Sequence, residues 1–271
     1  MAETIIIKGK SASLTTSRGA EHRVELQKFC EAISNSTIQG FDNEPNPDNV
    51  VWNVRCGPLR ICIAELKPQL RLVKWLHPDS PVPFGPEAIT SQRQLATPYV
   101  ILKVPFLRER LLPRVEVFYR SAPLRSKDGP DGALYFPNLF NVSPHAYDCI
   151  SWFCTQYLPI RKLPTGTAAG LNAVTHHLWG GDFNASSEEH EGQSTFGLTI
   201  RQEVDERVTS VERWETESQK DPRFVLSVPW LDAQVNVAQL VEREIKFHRV
   251  STMPFTVRIL GNLLLRQARP R

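Results

Sequence analysis

The chain has 271 residues, of which 41% are hydrophobic and 23% are charged. These values are ordinary for a globular protein and exclude collagen-like, coiled-coil and intrinsically disordered classes. The formal net charge of +3 comes from 32 basic and 29 acidic residues. Because no long run of one sign occurs, the sequence predicts neither a nucleic-acid partner nor a membrane partner.

The cysteine count and the N-terminal residues bear on the compartment. Five cysteines are an odd number for a disulfide framework, which favours reduced thiols. The first apolar stretch is three isoleucines ended by Lys8, too short for the core of a signal peptide. Later apolar stretches also fall short of a membrane span. We therefore expect a soluble, cytoplasmic protein.

The first half of the chain predicts a helix followed by short strands. Residues 1–20 are expected to pair as an edge strand or to fray. Apolar residues at helical spacing predict a helix over 22–33. A turn at Cys56-Gly57-Pro58 then joins the first two of several β-type segments. These predicted strands cover 50–55, 59–66, 70–76, 99–106 and 115–119.

The second half begins with a stretch interrupted by six prolines, from Tyr119 to Leu171, which predicts an irregular surface segment. Helices are predicted over 171–179, 200–218, 235–247 and 255–265, with a brief strand over 223–228. Helix, antiparallel meander, long loop and helices follow one another in sequence. This order indicates an α+β fold with segregated elements.

The segment from Tyr135 to Trp152 contains the candidate chemistry. Cys149 follows Asp148, and Asn141 lies eight residues before the cysteine. A thiolate that accepts an acyl group needs a donor, such as a side-chain amide, for the oxyanion that forms. The polar and proline-rich neighbours of Cys149 predict an accessible thiol rather than a core residue. His145 and Asp148 are candidates to lower the thiol pKa or to deprotonate an attacking amine.

This Asn–Cys spacing resembles that of the ubiquitin-conjugating enzymes, in which the asparagine of a His-Pro-Asn motif lies eight residues before the catalytic cysteine. The chain is similar in particular to the bacterial group called prokaryotic ubiquitin-conjugating family D and to related plasmid-associated system proteins. The resemblance covers about residues 50–190. It rests on Glu65-Leu66-Lys67-Pro68-Gln69, Thr97-Pro98-Tyr99-Val100-Ile101-Leu102, Phe140-Asn141-Val142 with Cys149, and Leu178-Trp179-Gly180-Gly181-Asp182-Phe183-Asn184.

The chain departs from the family pattern directly before Asn141, where Leu139 and Phe140 replace the histidine and proline. A second register uses Pro137-Asn138 and places Asn138 eleven residues before Cys149. Both asparagines therefore stay open as the oxyanion donor.

The resemblance implies a ubiquitin-conjugating fold over 20–200, preceded by a segment over 1–20 and followed by a helical extension over 200–271. It implies a carrier enzyme that receives a ubiquitin-like protein from an adenylating activating enzyme as a Cys149 thioester and passes it to a target amine. No cofactor is implied, because ATP is used by the activating enzyme. Related genes imply a role in antiphage defence.

Other interpretations remain open at this stage. A catalytically silent scaffold would keep the fold and bind the ubiquitin-like protein or the activating enzyme. A cysteine hydrolase would pair Cys149 with His176, His177 or His190. A zinc site from Cys149, Cys154, His176 and His177 lacks the short paired spacings of structural zinc sites, so no metal is predicted.

Overall fold

A computed structural model describes residues 4–8, 11–15, 21–25, 49–77, 79–82, 86–125, 131–146, 149–155, 158, 166–184 and 193–252. The chain divides into two compact units, Met1–Gln39 and Gly40–Arg271. Strands form antiparallel sheets in both units, and helices occur in the second. The fold is therefore α+β, as the sequence predicts. Within the part of the chain that the structure describes, none of the helices combines the length and hydropathy needed to cross a bilayer.

The first unit contains an antiparallel sheet of β1 (Thr4–Lys8), β2 (Ser11–Thr15) and β3 (Glu21–Glu25). The predicted helix over 22–33 is wrong at its start, because His22 to Glu25 belong to β3. Val24 lies opposite Ala12 in the β2–β3 register. The apolar residues over 22–33 fit helical spacing, but those at positions 24 and 26 also fit the period of two of a strand. Pairing with β2 makes the first part of this stretch a strand. Residues 26–33 lie outside the described part of the chain.

The second unit is built on a meander of antiparallel strands. β4 (Val50–Cys56) and β5 (Leu59–Leu66) form a hairpin with Gly57 in its turn at φ 58°. The next strands are β6 (Gln69–Leu76), β7 (Thr90–Thr97), β8 (Tyr99–Leu107), β9 (Arg110–Leu111) and β10 (Glu116–Arg120). All five predicted strands are confirmed, whereas the sequence predicts no element where β7 lies.

β5 to β8 form one long, bent ribbon. Leu66 pairs with Val100 at the end of the β5–β8 ladder, and Gln69 pairs with Thr97 at the start of the β6–β7 ladder. Pro68 and Pro98 lie at the interruption, where neither can donate a backbone hydrogen bond. The ribbon thus keeps its register while it passes from one sheet into another.

The edge of β7 is covered by helix α3 (Val211–Lys220). The Trp214 indole donates to the Ala96 carbonyl at 2.9 Å, and the Ala96 amide donates to Ser218 Oγ at 2.8 Å. The Gln94 amide donates to Glu215 Oε1 at 2.8 Å. Side chains of α3 therefore satisfy backbone groups that a free sheet edge would expose.

The predicted irregular segment contains a second hairpin. β11 (Val142–Pro144) pairs with β12 (Ser151–Phe153), and β12 pairs with β10 through Trp152 and Glu116. The larger sheet has the order β11-β12-β10-β8-β5-β4, with β9 paired to β8. A short strand β13 (Asp182–Phe183) runs parallel to β6.

The helices follow the second hairpin. In addition to α3, the described residues contain α1 (Thr167–Gly180), α2 (Thr195–Arg201) and α4 (Val237–Thr252). The helices predicted over 171–179 and 235–247 are confirmed. The helix predicted over 255–265 lies outside the described residues.

The single helix predicted over 200–218 is wrong. That stretch contains the end of α2, a 3-10 turn at Glu206–Val208 and the start of α3. Asp205 and Ser210 each accept a backbone hydrogen bond at the start of the following element, so capping interrupts the apolar stripe. The strand predicted over 223–228 is also wrong, because Phe224–Leu226 is a 3-10 turn.

Helices cover both faces of the larger sheet. On one face, Leu171, Val174 and Leu178 of α1 pack with Leu102 and Val104 of β8. On the other face, the apolar side of α4 packs against β5, β8 and β10. The α4 residues are Val237, Leu240, Val241 and Ile245, and the strand residues are Ile61, Ile63, Ile101 and Phe118. β8 is thus buried on both faces, which explains its nearly continuous apolar sequence.

Gly170 provides a test of how closely α1 approaches the sheet. A Cβ built at Gly170 would overlap Cε1 of Phe106, which is buried. Gly170→Ala should therefore lower the free energy of unfolding by about 1–3 kcal/mol, although alanine favours a helix. Urea unfolding followed by circular dichroism measures this change.

The matched control is Gly180→Ala in the same helix, where the added Cβ meets only His176 at 3.4 Å. This variant should be neutral or more stable by up to about 1 kcal/mol. Equal effects of the two substitutions would contradict the close approach of α1 to Phe106.

Candidate functional site

Cys149 lies in the connection between β11 and β12. The Cys149 amide donates to the Ala146 carbonyl at 2.7 Å, and the His145 amide donates to the Ile150 carbonyl at 3.1 Å. Ser151 Oγ donates to the Val117 carbonyl of β10 at 2.5 Å. These bonds join the two strands near Cys149 and hold the hairpin on the edge strand of the meander.

The expectation of an accessible thiol is wrong for this conformation. Cys149 is only 2% exposed. Its neighbours in sequence are polar, but the thiol lies close to Lys103, Arg114 and Glu116 of the sheet region and to Arg243 of α4. The polarity of neighbouring residues describes only what lies next to Cys149 along the chain. Whether the thiol is exposed depends on tertiary packing, which the local sequence does not show.

The pKa of the Cys149 thiol follows from this burial. Burial raises the pKa to about 11, and the Glu116 carboxylate adds to the rise, whereas Lys103, Arg114 and Arg243 oppose it. The thiolate is the nucleophilic form of cysteine. In this conformation the thiol is therefore protonated at neutral pH and shielded from a reactant.

A cluster of charged side chains lies beside the thiol, on the sheet face that α4 covers. Lys103 Nζ lies 2.7 Å from Glu116 Oε2 and 2.7 Å from Glu244 Oε2. Arg114 Nε lies 3.3 Å from Glu244 Oε2, and Arg243 pairs with Glu116 Oε1. Lys103, Glu116 and Glu244 are almost completely buried. Buried ions require such partners, because removal from water costs several kcal/mol per ion.

Glu116 connects this cluster to the thiol loop. Its Oε1 accepts a hydrogen bond from the amide of Ile150, the residue after Cys149, at 2.7 Å. Burial would raise the pKa of Glu116, but Lys103, Arg243 and the Ile150 amide lower it to about 2. Glu116 is thus ionised at neutral pH and contacts three elements at once.

The two candidate asparagines differ in their surroundings. Asn138 is fully buried, and its Nδ2 donates to the Val208 carbonyl at 3.1 Å. Asn141 is half-buried. The Oδ1 atoms of both asparagines are buried without a hydrogen-bond partner among the described residues. The side-chain amide of Asn138 is thus already hydrogen-bonded within the fold. Both asparagines remain candidates for the oxyanion donor.

The two supporting residues are not brought together with the thiol by any described contact. His145 is exposed at the end of β11 with φ 61°, and its ring packs edge-on against Phe136 at 5.7 Å. Asp148 lies outside the described residues. Their proposed roles toward Cys149 stay predictions.

The other cysteines and histidines form no recognisable centre in the described part of the chain. Cys62 is buried with a pKa raised to about 12, chiefly by burial. His177 Nε2 lies 3.1 Å from the Cys154 carbonyl oxygen, and its ring packs beside Phe153. Among the residues described, no group of three or more metal-ligating side chains occurs. His190 and Cys30 lie outside the described residues.

The charged cluster was missed by sequence reasoning, although a signal existed. Lys103 interrupts the apolar run of β8, and Glu116 stands between Val115 and Val117 in β10. A charge inside a strand that is buried on both faces requires a partner. The identity of the partners on α4, more than 120 residues away, was not readable from the local sequence.

Glu116 generates a prediction for stability against pH. Its folded pKa is depressed, so its contribution to stability is complete above the ordinary glutamate pKa of about 4.3. That contribution is lost as the pH falls toward about 2. Glu116→Gln should lower the free energy of unfolding at pH 7 by about 3–5 kcal/mol, because Lys103 and Arg243 lose a buried anion. It should also flatten the fall in stability below pH 5.

Urea unfolding of both proteins between pH 7 and pH 3 checks this prediction. Glu242→Gln is the control, because Glu242 pairs with Lys246 on the exposed side of α4. It should unfold like the wild type at every pH, within about 0.5 kcal/mol. An unchanged pH dependence in Glu116→Gln would show that Glu116 does not carry the acid sensitivity.

Comparison with known proteins returned no match for this chain among family models, curated proteins or solved structures.

Proposed function

We propose that this chain is a ubiquitin-conjugating-like carrier with Cys149 as its acyl acceptor. The observation that carries the proposal is the order of elements. β4, the β5–β6 strand, the β7–β8 strand and β10 form a meander, and the hairpin that holds Cys149 follows it on the same sheet. α1 comes next and packs on one face of that sheet. The resemblance implies a helix, a four-stranded meander, a loop that holds the asparagine and the cysteine, and then helices. The described order from the meander onward agrees with this.

The proposed reaction has two steps. The Cys149 thiolate attacks the thioester carbonyl that links a ubiquitin-like protein to its activating enzyme. A carbon–sulfur bond to Cys149 forms, the bond to the activating enzyme breaks, and the departing thiolate takes up a proton. A target amine then attacks the new thioester, gives an amide bond and returns the Cys149 thiol.

Each tetrahedral intermediate carries an oxyanion that a side-chain amide stabilises. Asn138 is held rigidly by Val208, which suits a fixed oxyanion donor. Asn141 immediately precedes β11. Its Oδ1, like that of Asn138, is buried without a hydrogen-bond partner among the described residues, so neither side-chain oxygen holds its amide in place. Either assignment requires the thiol to become accessible first. His145 and Asp148 remain candidates for assisting the attacking amine.

A second function is favoured by the burial of the thiol. Cys149 at 2% exposure, with a pKa raised to about 11, is what a catalytically silent scaffold of the same fold would show. Such a scaffold would bind the ubiquitin-like protein or the activating enzyme without forming a covalent bond. The two functions differ in one chemical product, the thioester.

The experiment is a charging reaction. The protein is incubated with ATP, the ubiquitin-like protein and the adenylating activating enzyme, and run on a non-reducing gel. We expect an adduct that dithiothreitol removes, because thiols cleave thioesters. Cys149→Ala should abolish the adduct. Cys149→Ser should give an adduct that resists dithiothreitol, because an oxyester replaces the thioester.

Cys154→Ser is the matched control, since Cys154 is a half-buried cysteine five residues further along the chain. It should be charged like the wild type. An adduct that persists in Cys149→Ala would assign the acceptor elsewhere. Stable, non-covalent co-elution with the ubiquitin-like protein, without any adduct, would favour the scaffold.

A further inference from the structure

Helix α4 attaches to the sheet by two kinds of contact. Val237, Leu240, Val241 and Ile245 pack against apolar residues of the strands. Between them, Glu244 is 1% exposed and places a carboxylate in the interface. The contact is therefore an apolar helix face with charges buried inside it.

These charges bind α4 to two strands of the meander. Glu244 pairs with Lys103 of β8 at 2.7 Å and with Arg114 at 3.3 Å. Arg114 also lies over the Phe247 ring of α4, with 3.6 Å from its guanidinium carbon to the ring centroid. Arg243 pairs with Glu116 of β10.

The same groups surround the thiol loop. Glu116 accepts the hydrogen bond of the Ile150 amide and the pair from Arg243, so one carboxylate joins α4 to the residue after Cys149. The Ile150 side chain packs against the apolar cluster that contains the α4 residues. Arg243 is also among the charges that act on Cys149.

We propose that α4 is a reversible cover for Cys149, and that the thiol becomes accessible when α4 leaves the sheet. Lys103, Glu116 and Glu244 would regain hydration on release. An interface that buries charges therefore opens at a lower cost than an apolar interface of equal area.

The consequence for the site rests on the proposed function. Burial is the main cause of the raised thiol pKa, so opening would return the pKa toward its ordinary value and increase the thiolate fraction. A ubiquitin-like protein would then be accepted only by the open form. The cover would limit unproductive reaction of the thiol in the closed form.

Cys62 provides an internal reference for the test. It is fully buried on β5, and it packs in the cluster formed by α1 and the opposite face of the sheet. Release of α4 would leave Cys62 buried, whereas global unfolding would expose both thiols. Labelling of the native protein with N-ethylmaleimide, followed by peptide mass spectrometry, gives a separate rate for each cysteine.

We expect Cys149 of the wild type to be labelled at least about tenfold faster than Cys62, after each rate is divided by that of the unfolded chain in urea. Cys149 of the native protein should also be labelled at least about tenfold more slowly than Cys149 of the unfolded chain. Glu244→Gln should raise the Cys149 rate about tenfold or more and the Cys62 rate by less, because it weakens the hold of Lys103 and Arg114 on α4. Glu242→Gln, on the exposed side of the same helix, should change neither rate.

Equal normalised rates for Cys149 and Cys62 in the wild type would overturn the proposal, because only global unfolding would then expose the thiol. Labelling of Cys149 at the rate of the unfolded chain would also overturn it, because no cover would exist. If Glu244→Gln fails to fold, equal normalised rates in the wild type would still overturn the proposal. A thioester adduct in the charging reaction together with equal labelling rates would support the carrier function and contradict the cover. Selective labelling of Cys149 without an adduct would support the cover and contradict the carrier function.

Discussion

The ion pair between Lys103 and Glu116 is the interaction on which this structure depends. The two residues lie directly opposite each other in the β8–β10 register, on the sheet face that packs against the apolar side of α4. Neither charge is stable there alone, since an unpaired buried ion costs several kcal/mol. Glu244 and Arg243 of α4 complete the pairing of Lys103 and Glu116 respectively. α4 thus gives each of the two buried charges a second partner, and the sheet neutralises the charges that α4 buries.

The same pairing determines the state of the thiol. Glu116 joins the amide after Cys149 to the cluster, so the start of β12 is held where Cys149 is buried. A carboxylate close to a thiol raises the thiol pKa, and here it does so in addition to burial. Cys149 is thus buried, unlike an activated cysteine, which is typically exposed, although Lys103, Arg114 and Arg243 act on the thiol as cations do in an activated site. A carrier with this site needs a conformational step before chemistry, whereas a scaffold does not.

Much of the fold was readable from local patterns. The strands of the meander have runs of β-branched and aromatic residues, and the hairpin turn at Gly57 has a glycine where φ is positive. α1 and α4 show helical spacing of apolar residues that pack on the sheet. β7 was missed because its polar residues alternate with few apolar ones, and its pairing with β6 provides the missing stabilisation. The stripe from Val204 to Trp214 has helical spacing, yet capping at Asp205 and Ser210 divides it.

The sequence by itself determined the α+β class, the meander, the two helices that cover it and the proximity of Cys149 to two asparagines along the chain. These features depend on periodicity and on spacing between near neighbours, which a single sequence records. Only the tertiary structure decided that Cys149 is buried and that Lys103 and Glu116 meet charges from α4. The ion pairs with α4 join residues more than 100 positions apart. The burial of Cys149 likewise depends on tertiary packing, and no local pattern specifies which distant side chain fills a given site.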